Sequence, residues 1–317
     1  LKKRLEMIRI PEMIDFDALY AFYKEKTIQE ETFVLLKPST FKDIVERGFL
    51  AIKERKSSIS GFVLSHFKDN QSYITMLYGS SIDDKHALIQ FYDQKMMEFN
   101  IHESFIHFFN PVSLPWYPMK DIVHPCFQGV LIGSENDEIY QSNKYLPHSI
   151  QDTYYRNLNT FEMPNSIIDQ LKDNQKDGYE IALYNPKKHK KILEFADNIN
   201  APHWKSVILE NINSENPLPL LVALKDSLVI GFTGPLRVEE NGRGYFAGIG
   251  VLEAERGKKI GKTLFFMLCQ TLKNMGSSYM TLYTGRDNPA RFIYLSAGFE
   301  ILKSFYTMKK KYDSIIL

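Results

Sequence analysis

The sequence predicts a mixed α/β protein of two units, each a central, mostly antiparallel mixed sheet flanked by helices. Three observations carry this reading. At 317 residues with 44% apolar side chains, the chain can build two cores of roughly 150 residues each. Strand-period and helix-period segments alternate along the second half, and the same order recurs in weaker form along the first. Turn signals separate those segments, at 225–227 and at Glu239-Glu240-Asn241-Gly242.

In the first half, 59–67 and 71–79 read as a strand pair around Lys68-Asp69-Asn70. A helix follows at 85–99 and a strand at 104–109, and 127–133 and 138–145 are expected as strands that close the sheet. Residues 146–177 are polar, contain Pro147 and Pro164, and read as a connecting segment with a helix at 166–174. This organises the chain as 1–145, a connection at 146–177, and 178–317. In the second half, 179–184 reads as a strand, 187–199 as a helix, and a further helix starts after Pro202. Strands are expected at 218–225, 228–238 and 244–251. A helix over 258–275 has apolar Ile260, Leu264, Met267, Leu268 and Leu272 at the helical period, with Gly276 as its stop. A strand at 278–284, a short helix at 288–296 and final strands to about 312 complete the order.

Composition excludes several classes. Thirty-nine basic and 38 acidic residues nearly cancel, so no broad nucleic-acid surface is expected. No apolar run of about 18 residues exists to span a membrane, and the N-terminus lacks a signal-peptide core. Cys126 and Cys269 are far apart and read as reduced thiols of a cytoplasmic protein. His102 and His107 read as structural, and no metal site is expected. No feature of the sequence sets an oligomeric state.

The most informative stretch is 249–262. An apolar strand runs into a polar turn, then into a basic, glycine-bearing loop that opens the long helix. Free backbone N–H groups, a positive helix end and lysine charges converge there, a place for a phosphorylated ligand. Basic residues at a helix start oppose the dipole by about 0.3–1 kcal/mol each, a penalty that a bound polyanion reverses. The corresponding loop of the first half, Ser80-Ser81-Ile82-Asp83-Asp84-Lys85-His86, lacks both glycines and adds two carboxylates, so it is not expected to hold the same ligand in the same way. Gly248 and Gly250 within the strand point to a bulge or a close backbone approach.

Two motifs of the second half resemble the GNAT superfamily of acyl-CoA-dependent N-acyltransferases. One is Val251-Leu-Glu-Ala-Glu-Arg256-Gly257-Lys258-Lys259-Ile260-Gly261-Lys262, similar to the family's Arg/Gln-x-x-Gly-x-Gly/Ala loop. The other is Asn288-Pro-Ala-Arg-Phe-Ile-Tyr294-Leu-Ser-Ala-Gly298-Phe299, like its Asn, Tyr, Gly-Phe segment. The resemblance covers about 140 residues and departs at Lys259, where the family has a glycine. A positive φ there costs about 1 kcal/mol, and a helical φ costs nothing.

The resemblance implies acetyl-CoA as substrate and acyl donor. Ile249 and Val251 would bond the pantetheine arm through their backbone. Arg256, Gly257, Lys258, Lys259, Ile260, Gly261 and Lys262 would hold the diphosphate. Asn288 would cap its helix or bond the arm. Tyr294 would protonate the departing thiolate. Glu253 is the best candidate for the base, with a water chain as its alternative, and His203 and Trp204 lie on a segment that covers the acceptor in this fold. The acceptor would be an amine, of a small molecule or a peptide N-terminus. The first half would be a degenerate copy, as in tandem-GNAT enzymes. Alternatives are a CoA-binding sensor without turnover and an aminoacyl-tRNA-dependent transferase.

Overall fold

The computed structural model describes residues 6–199 and 201–312. The chain forms two compact units that are not contiguous in sequence. The first comprises the chain up to Thr153 with Tyr283–Asp287 and the residues from Ile301 onward; the second comprises Tyr154–Leu282 and Asn288–Glu300.

The first unit runs β1 (Glu6–Arg9), α1 (Phe16–Glu30), α2 (Pro38–Glu46), β2 (Phe49–Arg55), β3 (Ser58–Lys68), β4 (Gln71–Gly79), α3 (Ile82–Glu98), β5 (Glu103–Ile106), a β6–β7 hairpin (Trp116–Met119, Ile122–His124), β8 (Val130–Leu131), α4 (Glu135–Ser142) and the start of β9 (Leu146–Asn157). Strands β1 to β4 are antiparallel neighbours. The β3–β4 turn places Asp69 and Asn70 at φ +51° and +59°, which matches the right-handed strand twist. β4 then pairs with β5 in parallel over only two positions, Ser72 with Ser104 and Tyr73 with Phe105. Leu88, Ile89, Tyr92 and Met96 of α3 pack into a core with Ala51, Val63 and Leu77.

The segment expected as a strand at 138–145 is instead helix α4. The signal passed over was its start. The Ser134 side chain accepts from the Asp137 amide, and Glu135, Asp137 and Glu138 fill the first turn, where acids favour the helix dipole. The strand expected at 127–133 shrinks to β8, and the polar stretch 146–177 carries β9 and a helix. At the start of α3, Ser81 accepts from the Asp84 amide, and the fully buried Asp84 carboxylate is neutralised by Lys53 (2.6 Å) and Arg55 (3.1 Å).

The second unit runs α5 (Asn165–Lys176), β10 (Tyr179–Leu183), α6 (Ile192–Asn198), α7 (Pro202–Ile212), β11 (Leu221–Lys225), β12 (Leu228–Thr233), β13 (Leu236–Val238), β14 (Arg243–Phe246), β15 (Ile249–Val251), α8 (Ile260–Asn274), β16 (Tyr279–Gly285) and α9 (Arg291–Ser296). The single strand expected at 228–238 breaks at Gly234-Pro235, where proline has no N–H for the ladder. The strand expected at 244–251 divides into β14 and β15, which take different neighbours. β14 pairs in parallel with β16 at Arg243–Tyr279 and Gly244–Met280, and β15 pairs antiparallel with β12. Leu264, Phe265, Leu268 and Leu272 of α8 fill the core under these strands.

After the second unit the chain enters β17 (Glu300–Lys311), a single strand where two or more were expected. Its end pairs antiparallel with β5 of the first unit, Met308 opposite Ile106 and Lys311 opposite Glu103. A buried polar cluster holds it there. The Asp93 carboxylate of α3 accepts from Tyr145 (2.7 Å), Tyr312 (2.7 Å) and Lys310 (2.6 Å). Removing it takes the carboxylate from a partly buried ammonium and two buried phenols, leaving Lys310 with the Asn143 carbonyl and Tyr312 with Ser104. Asp93→Ala is therefore expected to destabilise the first unit by about 3–5 kcal/mol, read as a lower thermal midpoint. An unchanged midpoint would show that the cluster is not what secures β17.

Candidate functional site

The site begins with a strand that has a neighbour on one side only. Gly248 accepts from the Gly234 amide (3.2 Å), and the Leu252 amide donates to Ile230 (2.9 Å). Alternate residues of an antiparallel strand face opposite ways, so the peptide groups of Ile249 and Val251 face away from β12. β15 is the last strand of its four-stranded sheet, so those groups lie on an open edge.

One face of this edge is covered. A Cβ on Gly250 would meet Ile199 Cδ1 at 2.6 Å and Trp204 Cζ3 at 3.0 Å, and one on Gly248 would run into the Trp204 indole. These glycines serve a close approach, by the α6–α7 segment. His203, beside Trp204, is exposed.

β15 leads through a single 3-10 turn, Glu253–Glu255, into the loop and α8. Lys259 is the N-cap residue and sits at φ +62°, left-handed, at the position where a glycine was expected. No side chain caps this helix. The amides of Gly257, Lys258, Lys259, Ile260, Gly261 and Lys262 donate to no acceptor among the described residues. Unsatisfied N–H groups and the positive helix end thus converge on one spot. Gly261 adds a further sign. A Cβ there would meet nothing nearer than Val251 Cγ2 (3.8 Å) and Ile293 Cδ1 (4.0 Å), so the fold itself does not require glycine. The same contacts show that β15, the start of α8 and α9 meet here.

The side chains divide. Lys258 is committed, to Glu255 (2.8 Å) and to the Tyr179 hydroxyl (3.0 Å), and its hydrogen bond holds the Glu255 carboxyl below the usual carboxylate range. Lys262 lies over the Phe266 ring. Arg256 is exposed and extended, with its amide bonded to Glu253 (3.1 Å). Glu253 is exposed on the 3-10 turn.

Tyr294 on α9 is buried against Phe265 (ring centroids 4.9 Å) and Tyr154 (5.7 Å), and burial pushes its phenol up to about 12. It is therefore protonated at neutral pH and equipped to donate. Asn288 accepts from the Ala290 amide (3.0 Å) and so opens the α9 turn. Tyr179 and Glu255, which brace Lys258, were not singled out in the sequence. They lie 76 residues apart, and no local pattern joins them.

Residues 187–299 match the Acetyltransferase (GNAT) family. No curated protein matches the chain in sequence. Among solved structures, the chain resembles the glucosamine N-acetyltransferase region of a fungal multi-domain GH3 β-N-acetylglucosaminidase, at 16% identity and TM-score 0.67, covering 96% of this chain and 38% of that one. It also resembles a GCN5-related N-acetyltransferase from Sphaerobacter thermophilus (12%, TM-score 0.60, 96% and 95% covered). A third is a tandem GNAT protein from the clavulanic acid biosynthesis pathway (9%, 0.57, 96% and 98%). The chain spans little more than a third of the first of these, and at such identities the likeness is one of fold. The family match lies within the second half of the chain, and the fold of the whole resembles that of a tandem GNAT protein.

The strained N-cap gives a direct test. A left-handed lysine costs about 1 kcal/mol, and a β-branched residue costs more. Lys259→Gly is expected to match or exceed the wild-type thermal midpoint, and Lys259→Val to fall below it. The reverse order would contradict the left-handed cap.

Proposed function

We propose that the protein is an acyl-CoA-dependent N-acyltransferase that moves acetyl from acetyl-CoA to an amine, with the donor held by its second unit. The observation that carries this is the uncapped start of α8, with six amides lacking acceptors and a glycine that leaves their approach open. A diphosphate satisfies such a cluster. The unpaired peptide groups of Ile249 and Val251 would then extend the sheet edge onto the pantetheine arm, next to the amides of residues 257–262.

Transfer would proceed by direct attack. The amine nitrogen bonds to the thioester carbon, and a backbone amide of the β14–β15 break stabilises the oxyanion. The intermediate collapses, the C–S bond breaks, and the Tyr294 hydroxyl gives its proton to the thiolate. Glu253, or water leading to a backbone carbonyl, takes the proton that the amine loses. The acceptor is an amine of a small molecule or a peptide N-terminus, and the cytoplasm, which supplies acetyl-CoA, is the expected location. A second reading, CoA binding without turnover, draws support from the exposure of Glu253 on its 3-10 turn. Release of free thiol from acetyl-CoA with a panel of amines separates the two.

Gly261→Glu places a carboxylate among the amides without a clash at Cβ, and is expected to abolish CoA binding by calorimetry while the fold persists. Unchanged affinity would remove the site. Tyr294→Phe is expected to lower kcat by about 100-fold or more with CoA affinity retained. Equal turnover would take Tyr294 out of the chemistry.

A further inference from the structure

The first unit has an open strand edge of its own. β4 pairs with β5 only at Ser72 and Tyr73. On the other side of β4, the Ser80 amide donates to Ser60 (2.7 Å). By the alternation of an antiparallel pair, the peptide groups of Leu77 and Gly79 face away from β3, and no donor or acceptor meets them among the described residues. Leu77, Gly79 and Ile106 of β5 line a cavity of about 410 Å³, with Phe33, Met76 and Phe127 among its apolar walls. The cations of this cavity are committed. Lys85 is buried and bonded to Glu135 (2.8 Å) and to the Asn136 side-chain carbonyl (3.1 Å). Lys26 is held by Gln29 (3.1 Å) and Glu25 (3.4 Å). His107 accepts from the Phe109 amide (3.1 Å), and burial pushes its ring down to about 4, so it is uncharged at neutral pH. Glu30 is the exception. Among the described residues its carboxylate has no ammonium nearer than that of Lys85, at 3.7 Å, and burial pushes it up. Two ammoniums thus meet three carboxylates, those of Glu25, Glu30 and Glu135, and one negative charge is left over.

We propose that this cavity binds the amino-terminal end of an extended peptide, its α-ammonium on Glu30 and its backbone added as a strand along Leu77 and Gly79. Three observations select that chemistry. The leftover charge calls for a cation and, with Lys26 and Lys85 engaged, disfavours a carboxylate or a phosphate. The free peptide groups call for alternating donors and acceptors, which an extended backbone supplies and an alkyl amine does not. The apolar walls take the side chains between, in a volume within the range of about 300–1,000 Å³ found for ligand pockets. The inference is independent of any coenzyme A site in the second unit.

The test is calorimetry with alanyl-leucyl-alaninamide and its N-acetyl derivative, on wild-type protein and on Glu30→Gln. A charge-assisted hydrogen bond corresponds to about tenfold in affinity. Wild-type protein is expected to bind the free-amine peptide at least about tenfold tighter than the acetylated one, and Glu30→Gln to erase most of that difference. With the free-amine peptide bound, amide hydrogen exchange of wild-type protein should slow at Leu77 and Gly79, a readout that needs no variant to fold. Equal wild-type affinities, or no binding of either peptide, overturn the proposal. A preference for the free amine that survives Glu30→Gln overturns it too, because it places amine recognition elsewhere. So does unchanged exchange at Leu77 and Gly79. Displacement of the peptide from these two amides by coenzyme A also overturns it, by making the cavity a donor site.

Discussion

The site in the second unit depends on one constraint: β14 and β15 are consecutive pieces of chain that cannot keep the same neighbours. β14 stays with β16 for two positions, and β15 leaves to pair with β12. The parting gives β15 an open edge, and the strand then delivers the chain to α8 with its first-turn amides unsatisfied. The Trp204 and Ile199 side chains on one face of the glycine-containing strand help keep its course fixed.

The two units use one plan with opposite electrostatics. Each has antiparallel strands, a helix and a parallel strand in the same order. In the first, the helix start is closed by its own residues: Ser81 caps α3, and Asp84 is buried between Lys53 and Arg55. In the second, the cap residue is a left-handed lysine with no side-chain bond to the helix. The two helix starts thus differ in that one is satisfied by its own residues and the other is left open.

Much of this was legible in the sequence because it is local. The turn at Asp226 and Ser227, the period of α8 and the basic loop are each written within a few residues. Ile249 and Val251 were named from the family resemblance, and strand alternation turns their peptide groups to the open edge once the pairing with β12 is known. What was not legible depends on residues distant in sequence. The reason for Gly248 and Gly250 lies in Trp204, and the brace on Lys258 joins Tyr179 to Glu255. The misread segment 138–145 is a different case. Its capping pattern, Ser134 with Asp137, was local and present. The boundary of the units was hidden for a topological reason, since no local feature announces that residues after Glu300 belong with a sheet begun at Glu6.

That return of β17 sets an order of events at the ribosome. Strand β5 is synthesised early, yet the strand that covers its free edge is encoded after the whole second unit. While translation passes through the second unit, the nascent first sheet carries an unpaired edge and an Asp93 still awaiting Lys310 and Tyr312. Unpaired edges are where chains aggregate and where chaperones act. Natural or engineered changes that slow the second unit would therefore be felt first as misfolding of the first.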